Sequence, residues 1–490
     1  MAEKQLSAAP GGLYDVAIIG AGITGTMLAK DLSAYQLRIL LLDKENDIAD
    51  GATMANSAIV HAGYDPEEGT LKGLLNVQGA RMYEQLCKDL ECKYRLTGAY
   101  IAACGPEEEK HLDLLKDRAD RRGIPCEYVP MDEARKQEPA LSDAVTRVLS
   151  FPTTAVIYPW QVAHACAQVA VLNGADIRLN AGVNAIDVCP DGFLLHTAQG
   201  DFAARTVVNA AGTHAEQIAR MVTEDPGFRM MPRKGEYYVL DKDAAFVKHV
   251  IFPVPSKEKG KGVLAVPTVY GNTLIGPNSD AVQDMDDPGT SFEGLDYVRK
   301  NISKTLRNVP LNRTIRIFAG IRPTSDRPDF ILEEAKDVPG FINAASIESP
   351  GLASAPAISR YVIDRLLSRR LDLKADPNAV MTRKAPPVMA EKTLEERNAL
   401  IKQNSAYGRI ICRCEQISEG EIVDAIHAPC GATTIKGVKK RVRPGMGRCQ
   451  GGFCEPRVLE ILARELGISP LDVVLDQQGS TILERENRQV

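Results

Sequence analysis

An apolar run over residues 16–19 follows Asp15 near the start of the chain and leads directly into glycines. An apolar run of this length is typical of a strand that is buried on both faces. An amphipathic helix over residues 27–32 follows, and then a second apolar strand over residues 38–42. This order of strand, helix and strand predicts a βαβ unit with two parallel strands.

The turn after the first strand carries Gly20, Gly22 and Gly25 in the order G-x-G-x-x-G. In such a turn the first glycine permits a tight bend, the second lets the backbone approach a pyrophosphate, and the third lets the helix pack closely on the strand. Asp43 ends the second strand, about 20 residues further on, where a carboxylate that binds ribose is expected. Because the whole pattern is present, it favours a dinucleotide site over an incidental glycine turn.

The rest of the pattern predicts an α/β protein of several parts. We expect helices over residues 70–90 and 107–122, a helix that ends near Asn173, and a hairpin formed by residues 182–188 and 193–196. A buried strand over residues 205–212 should lie beside the first strand. Residues 228–276 are rich in short strands, which predicts a second lobe with an antiparallel sheet. Residues 315–320 and 341–345 are expected to return to the first lobe.

The predicted domain boundaries follow these patterns. Residues 14–368 form the main domain, in which residues 14–65, 150–225 and 315–368 form a Rossmann-like lobe, and residues 66–149 and 226–314 form a lobe with a mixed or antiparallel sheet. Residues 369–407 are a linker with one charged helix, and residues 408–490 form a small C-terminal module.

Composition and charge restrict the protein class. Of 490 residues, 44% are hydrophobic and 25% are charged, which is ordinary for a globular protein. The net charge of −5 gives no global basic field, so we expect no nucleic-acid partner. No apolar run reaches the ~18 residues that a membrane helix needs. Residues 1–12 are predicted to be a loose tail without the apolar core of an export signal, and we therefore expect a cytoplasmic protein.

Four of the eleven cysteines form two close pairs near the C-terminus, Cys412 with Cys414 and Cys449 with Cys454. Four thiolates in two pairs are typical of a metal site. The first spacing, Cys-x-Cys, fits poorly with zinc knuckles. Neighbouring glycines leave backbone N–H groups able to point at cluster sulfurs, which favours an iron–sulfur cluster over structural zinc or unligated thiols. These glycines are Gly445, Gly447, Gly451 and Gly452.

Two other features lie between these cysteine pairs. Cys430 is expected to be a spare core thiol. The basic run over residues 436–443 is either a solvated face or a docking surface for an electron partner.

At this point the sequence resembles a known family. Residues 14–368 are similar to the FAD-dependent oxidoreductases related to D-amino-acid oxidase, in particular to bacterial glycerol-3-phosphate dehydrogenases and L-2-hydroxyglutarate dehydrogenases. The resemblance rests on residues 20–25, 56–63, 207–212, 320–323 and 349–352. The C-terminal module resembles the 2Fe–2S domain of bacterioferritin-associated ferredoxins, and the four-residue gap in its second cysteine pair is similar to that of anaerobic glycerol-3-phosphate dehydrogenases.

Residues 69–72, 77–80 and 251–255 look most like the hydroxyglutarate branch. The two parts of the chain therefore point to different substrates.

The resemblance implies two cofactors, FAD and a 2Fe–2S cluster, the latter held by Cys412, Cys414, Cys449 and Cys454. The residues expected to bind FAD are Gly20, Gly22, Gly25, Asp43, Thr53, Ser57, Val183, Gly212, Gly320, Gly351 and Leu352. The residues expected at the substrate are His61, Arg322, Lys234 and Tyr270.

Arg322 and His61 are the candidate catalytic residues. The planar fork of Arg322 suits a carboxylate or phosphate, although an ion pair with Asp326 or Asp329 is the structural alternative, and Arg327 is a weaker candidate. His61 can accept a proton near neutral pH, or it only packs on the flavin.

The resemblance implies a dehydrogenase that removes a hydride from the secondary alcohol of a small anionic substrate. We expect sn-glycerol 3-phosphate, with L-2-hydroxyglutarate or another 2-hydroxy acid as the alternative substrate, and a non-catalytic electron-transfer subunit as a second alternative. Zinc serving assembly or nucleic-acid contact is a third. No second glycine fingerprint follows a strand, so electrons should leave through the cluster to a partner subunit or a quinone. We expect an oligomer, with membrane contact only through a partner.

Overall fold

The computed structural model describes residues 12–255 and 262–485. Except for Gly12, the tail predicted over residues 1–12 lies outside the described residues. The strands are, in chain order, β1 (Leu13–Ile19), β2 (Ile39–Leu42), β3 (Ile59–Val60), β4 (Tyr94–Leu96), β5 (Ala99–Ala103), β6 (Glu127–Val129), β7 (Arg147–Phe151), β8 (Ala155–Ile157), β9 (Asp176–Arg178), β10 (Val183–Cys189), β11 (Gly192–Thr197), β12 (Gly200–Asn209), β13 (Arg233–Leu240), β14 (Val250–Pro253), β15 (Leu264–Pro267), β16 (Thr273–Gly276), β17 (Asp280–Ala281), β18 (Thr314–Arg322), β19 (Ile331–Glu334), β20 (Phe341–Ala345), β21 (Ile410–Cys412) and β22 (Ile417–Ser418).

The described residues also form α-helices. They are α1 (Ile23–Leu32), α2 (Leu71–Asp89), α3 (Pro106–Arg121), α4 (Met131–Gln137), α5 (Pro159–Leu172), α6 (Ala215–Ala219), α7 (Phe292–Asn301), α8 (Gly351–Tyr361), α9 (Leu394–Gln403), α10 (Glu419–His427), α11 (Ile435–Val442) and α12 (Glu455–Leu466). Most predicted helices are present within a few residues. Helix α8 ends at Tyr361, and a π-helical turn over Val362–Leu366 continues it.

The first sheet has β1 at its centre. Strand β1 pairs in parallel with β2 on one side and with β12 on the other, and β9 extends the parallel part beyond β2. Strands β10 and β11 form the predicted hairpin on the far side of β12. Helices α1 and α5 pack together against this sheet through a fully buried core. The carboxyl ends of the parallel strands therefore meet at one edge, where α/β folds bind ligands.

The second sheet is mixed and holds β18, which corrects one prediction. Residues 315–320 were expected in the first lobe, but β18 pairs antiparallel with β13 along its whole length, from Thr314 to Arg322. Strand β5 joins β14 in parallel and β7 antiparallel. The strand itself was predictable from its residues, but its partner was not, because pairing depends on contacts distant in sequence. Strand β20, in contrast, lies in the first sheet as expected.

The C-terminal part forms a small unit of its own. Helices α10, α11 and α12 bury one apolar core together with the short hairpin of β21 and β22. A serine or threonine fixes the start of α10 and of α11: the side chain of Ser418 accepts a hydrogen bond from the Glu421 N–H, and that of Thr434 accepts one from the Gly437 N–H. Nowhere in residues 12–255 and 262–485 is a helix both long and apolar enough to traverse a bilayer.

The close contact between Gly25 and the β1–α1 turn can be tested by adding one methyl group. A Cβ at Gly25 would lie 1.9 Å from the Gly20 carbonyl oxygen. We expect Gly25→Ala to lower the free energy of unfolding by about 1–3 kcal/mol, because the helix must move away from the strand. Gly51→Ala is the matched control, since no heavy atom lies within 4 Å of its Cβ. Urea denaturation of the two variants measures the difference, and equal stabilities would contradict this account.

Candidate functional site: a flavin cavity and a four-cysteine centre

A cavity of about 1340 Å³ opens at the carboxyl edge of the first sheet. It extends from the glycine turn after β1 to the end of β18 and the start of α8. The residues predicted to bind FAD that line it are Gly20, Gly22, Asp43, Thr53, Ser57, Val183, Gly212, Gly320, Gly351 and Leu352. Gly25 packs behind the turn instead, in the position expected of the third glycine.

At the dinucleotide end of the cavity, the glycine turn after β1 is packed too closely to hold a side chain at Gly20. A Cβ at Gly20 would lie 2.4 Å from the Ala210 carbonyl oxygen. The Asp43 carboxylate accepts hydrogen bonds from the backbone N–H groups of Ala21 and Glu45. Burial raises the pKa of Asp43 to about 6, and the nearby carboxylates of Glu45 and Asp50 add to the rise. Asp43 is thus a half-buried hydrogen-bond acceptor at the edge where a ribose is expected.

The opposite end of the cavity has backbone packed on backbone. A Cβ at Gly320 would lie 1.9 Å from the Ala55 carbonyl oxygen, so β18 and residues 51–58 approach as closely as glycine allows. The Ser57 and Tyr237 hydroxyls lie 3.1 Å apart on the cavity wall. This is the kind of narrow, small-residue wall that suits a flat ring system.

Helix α8 begins at the cavity with Gly351 and Leu352. The Tyr83 hydroxyl donates a hydrogen bond to the Leu352 carbonyl oxygen and ties the first turn of α8 to α2. The positive end of the helix dipole therefore faces the cavity, as expected for a helix that stabilises negative charge on a ligand.

His61 and Arg322 both line the same cavity. The His61 backbone oxygen accepts a hydrogen bond from Asn76 at 2.9 Å, and its ring lies 5.5 Å from the ring of Phe252. The Arg322 guanidinium donates to the backbone oxygen of Asn278 at 3.1 Å. These contacts hold a histidine and an arginine at the cavity wall.

Asp326 and Asp329, the alternative ion-pair partners of Arg322, are hydrogen bonded to other groups. Asp326 accepts from the Arg229 backbone N–H, and Asp329 accepts from two backbone N–H groups at the start of α2. Arg327 forms a two-point pair with Glu333. Arg322, rather than Arg327, is thus the arginine that lines the cavity.

Two predicted substrate residues do not line the cavity. The Lys234 ammonium lies 2.7 Å from Asp287 and 2.8 Å from the Gly289 oxygen. The ring of Tyr270 lies beneath the Arg443 guanidinium, 3.8 Å from its Cζ, at the contact with the C-terminal unit. From the sequence, the strand-end position of Lys234 and the aromatic ring of Tyr270 suggested places in the pocket. In the structure, an ion pair holds Lys234 away from the cavity, and packing against the C-terminal unit does the same for Tyr270.

Several cavity residues were missed by the sequence analysis. Asn180 and Gly182 follow β9 and lie beside Asp43, and Asn278 and Ser279 follow β16. These four residues could have been predicted, because they are small or carry an amide and directly follow strands. Lys436, which comes from the C-terminal unit, could not be found by any local pattern.

The four cysteines come together in the C-terminal unit. The sulfurs of Cys414 and Cys449 lie 3.7 Å apart, and the Cys412 and Cys454 thiols are hydrogen bonded to each other. The Cys454 thiol and the backbone N–H groups of Gly445 and Glu415 lower the pKa of Cys412 to about 6. Of the glycine N–H groups predicted near the cluster sulfurs, that of Gly445 contacts Cys412, and it favours the thiolate form of this cysteine.

The four cysteines are arranged as two pairs, Cys414 with Cys449 and Cys412 with Cys454. A structural zinc needs four ligands around a single ion, whereas a 2Fe–2S cluster spreads its four thiolates over two irons. A Cβ at Gly447 would lie 2.3 Å from the Cys414 Cβ, which shows how closely the backbone surrounds the centre. The donor set and its spread fit the cluster.

The basic run over residues 436–443 does not form a solvated or partner-docking face. The Lys440 side chain is only 1% exposed and lies 2.9 Å from Asp47. Arg441 makes a two-point contact with the same carboxylate, 2.8 Å on each side. Arg443 is buried against Glu415. The run turns inward because the loop after β2 presents carboxylates to it.

The comparisons with known proteins now identify the class. Residues 15–365 match the family model of FAD dependent oxidoreductases, and residues 410–464 match the model of BFD-like [2Fe-2S] binding domains. The chain belongs to the family of FAD dependent oxidoreductases, with FAD and a 2Fe–2S cluster as its cofactors.

Relatives with assigned activities narrow the class further. A glycerol 3-phosphate dehydrogenase of Caloramator mitchellensis is 45% identical over 96% of this chain and 98% of its own length. An L-2-hydroxyglutarate dehydrogenase of Escherichia coli K12 is 30% identical, but over 54% of this chain and 64% of its own length. The structure of the L-alpha-glycerophosphate oxidase from Mycoplasma pneumoniae has a TM-score of 0.73 at 27% identity, and covers 77% of this chain and 100% of that one.

Removal of one cysteine at a time tests the ligand set. We expect Cys454→Ala to lose the iron and the visible absorption of the cluster, because a two-iron centre needs all four thiolates. Cys430→Ala is the control: burial raises the pKa of the Cys430 thiol to about 11, so it is not a ready thiolate. Iron content and the electron paramagnetic resonance of the dithionite-reduced protein measure the outcome. Equal iron loss in both variants would contradict the assignment.

Proposed function

We propose that the protein oxidises sn-glycerol 3-phosphate at its secondary alcohol to dihydroxyacetone phosphate. The observation that supports this most strongly is that Arg322 and His61 both line one flavin-sized cavity. An arginine suits a phosphate, and a histidine can take up the hydroxyl proton. The 45% identity to a glycerol 3-phosphate dehydrogenase over nearly the whole of both chains supports the same substrate.

The reaction divides between cofactor and protein in a simple way. When bound, FAD accepts the hydride from the substrate carbon, and the cluster accepts electrons one at a time. The Arg322 guanidinium holds the phosphate and so fixes which carbon faces the ring. His61 takes the proton from the hydroxyl oxygen as the C–H bond breaks, which leaves a ketone. The N-terminus of α8 stabilises the negative charge that develops in the cavity.

We further propose that the electrons leave at the exposed edge of the four-cysteine centre. Cys414 lies at the surface, and Phe453, next to the ligand Cys454, is 87% exposed. An exposed aromatic residue beside a redox centre suits contact with an electron-accepting partner subunit or a quinone-linked chain. None of the eleven cysteines, all of which lie in the described residues, forms a disulfide, which favours a reducing compartment such as the cytoplasm. Oligomeric assembly stays a prediction.

Anaerobic bleaching of the flavin by substrate tests the proposed activity. We expect sn-glycerol 3-phosphate to bleach the flavin absorption of the oxidised holoenzyme, because its phosphate and secondary alcohol match Arg322 and His61. L-2-hydroxyglutarate should bleach it far more slowly, and glycerol serves as the control without an anion. Faster bleaching by L-2-hydroxyglutarate would assign the enzyme to the 2-hydroxy acids. Failure of both substrates would favour a non-catalytic electron-transfer subunit.

Replacement of Arg322 tests the anion site. We expect Arg322→Leu to raise the KM for sn-glycerol 3-phosphate about 10- to 100-fold, the loss typical of a hydrogen bond to a charged group. Arg327→Leu is the matched control, because its partner is the half-exposed Glu333, and such pairs contribute little. Steady-state kinetics with flavin content measured in parallel separates substrate binding from cofactor loss. An unchanged KM in Arg322→Leu would remove this residue from the substrate site.

A further inference from the structure

The C-terminal unit forms part of the wall of the flavin cavity. Lys436, Asp476, Gln477 and Gln478 line the cavity on the same rim as residues 44–46, which follow Asp43. The Asn46 side chain donates a hydrogen bond to the Asp476 backbone oxygen. Because Asp43 marks the end of the cavity where a ribose is expected, these residues lie at the adenosine end.

A cluster of buried charges holds the loop after β2 to helix α11. Its cations all come from α11, and its carboxylates at the loop are those of Asp47 and Asp50. Lys440 lies 2.9 Å from Asp47 and 3.0 Å from Asp50, and Lys436 lies 3.3 Å from Asp50. Arg441 adds its two-point contact with Asp47. Both carboxylate side chains are at most 5% exposed, so the loss of a cation would leave a buried negative charge unpaired.

The same loop is hydrogen bonded to the glycine turn. Lys440 donates to the Ile48 backbone oxygen at 3.1 Å, and the next residue, Ala49, donates its N–H to the Ala21 oxygen at 3.1 Å. The Thr53 hydroxyl accepts from the Ile23 N–H at 2.9 Å, at the start of α1. A continuous set of contacts therefore joins α11 to the backbone that receives the pyrophosphate.

The charges of the loop after β2 explain why contact with the cations of α11 would favour FAD binding. Residues 43–50 carry four carboxylates and one lysine, and they border a site for an anionic pyrophosphate. By themselves these acids would oppose binding of the anion. Helix α11 offsets them with three cations that are held at fixed positions.

We propose that the C-terminal domain completes the FAD site: through Lys436, Lys440 and Arg441 it holds the loop after β2 against the glycine turn, so that docking of this domain and binding of FAD favour each other. The coupling is reciprocal, because any contact that favours one state of the loop must act on both events.

The test measures FAD affinity in the full-length chain. The flavin is removed, and FAD is titrated back while its fluorescence quenching is followed. We expect Lys440→Met to raise the Kd for FAD by at least about tenfold, since Asp47 and Asp50 lose their shared cation. Lys439→Met is the matched control: it removes the same charge from the same helix, but the charged neighbours of Lys439 include Arg316, Glu455 and Cys454 and neither Asp47 nor Asp50. Its Kd should stay within about twofold of the parent value.

Two further measurements keep the proposal falsifiable. Retention of the cluster's visible absorption in Lys440→Met shows that the C-terminal domain is folded, and an unchanged Kd in that protein overturns the proposal. In the unmodified protein, FAD should slow hydrogen exchange of the α11 amides relative to the FAD-free form. If Lys440→Met does not fold, this exchange measurement decides alone, and identical exchange with and without FAD overturns the proposal.

Discussion

The approach of helix α1 to strand β1, with the backbones of Gly20 and Gly25 in contact, is the constraint on which the rest of the cavity depends. It orients the start of α1 towards the carboxyl edge of the first sheet. The strands beside β1 then bring Asp43 and residues 209–212 to the same edge. Gly320 allows a similar backbone-to-backbone contact at the opposite end of the cavity, where β18 of the second sheet packs against Ala55. The two sheets thus enclose one cavity because glycine stands at each point where backbones meet.

The second constraint is electrostatic and joins the two redox parts of the chain. Asp47 is buried, which by itself raises the pKa of a carboxyl group, yet its pKa is lowered because the positive charges of Arg441 and Lys440 lie against it. The carboxylate is therefore ionised and paired. The loop that carries it borders the cavity, so the cysteine-bearing domain and the flavin cavity share one structural element instead of being connected only by the linker.

The sequence made parts of this arrangement predictable and left others beyond reach. The glycine turn, Asp43 and the four cysteines depend on local spacing, and all occupy the expected positions. Tyr270 and the basic run were misplaced because their partners, Arg443 and Asp47, are far away in the chain. The pairing of β18 with β13 is likewise a long-range property. Spacing predicts which groups can carry the chemistry, but it does not predict which surfaces meet.

Buried ion pairs add little to net stability, since their desolvation offsets most of the attraction, but separating the partners is costly because it leaves a buried charge unpaired. Here they fix how the cysteine-bearing domain sits on the rest of the chain. One end of β18 lines the cavity at Gly320, and Arg316 on the same strand donates a hydrogen bond to Gln450, next to Cys449. Four residues of extended strand span roughly 13 Å. Strand β18 thus extends from the cavity wall to the cysteine loop, and the buried ion pairs of α11 hold the same domain against the loop after β2.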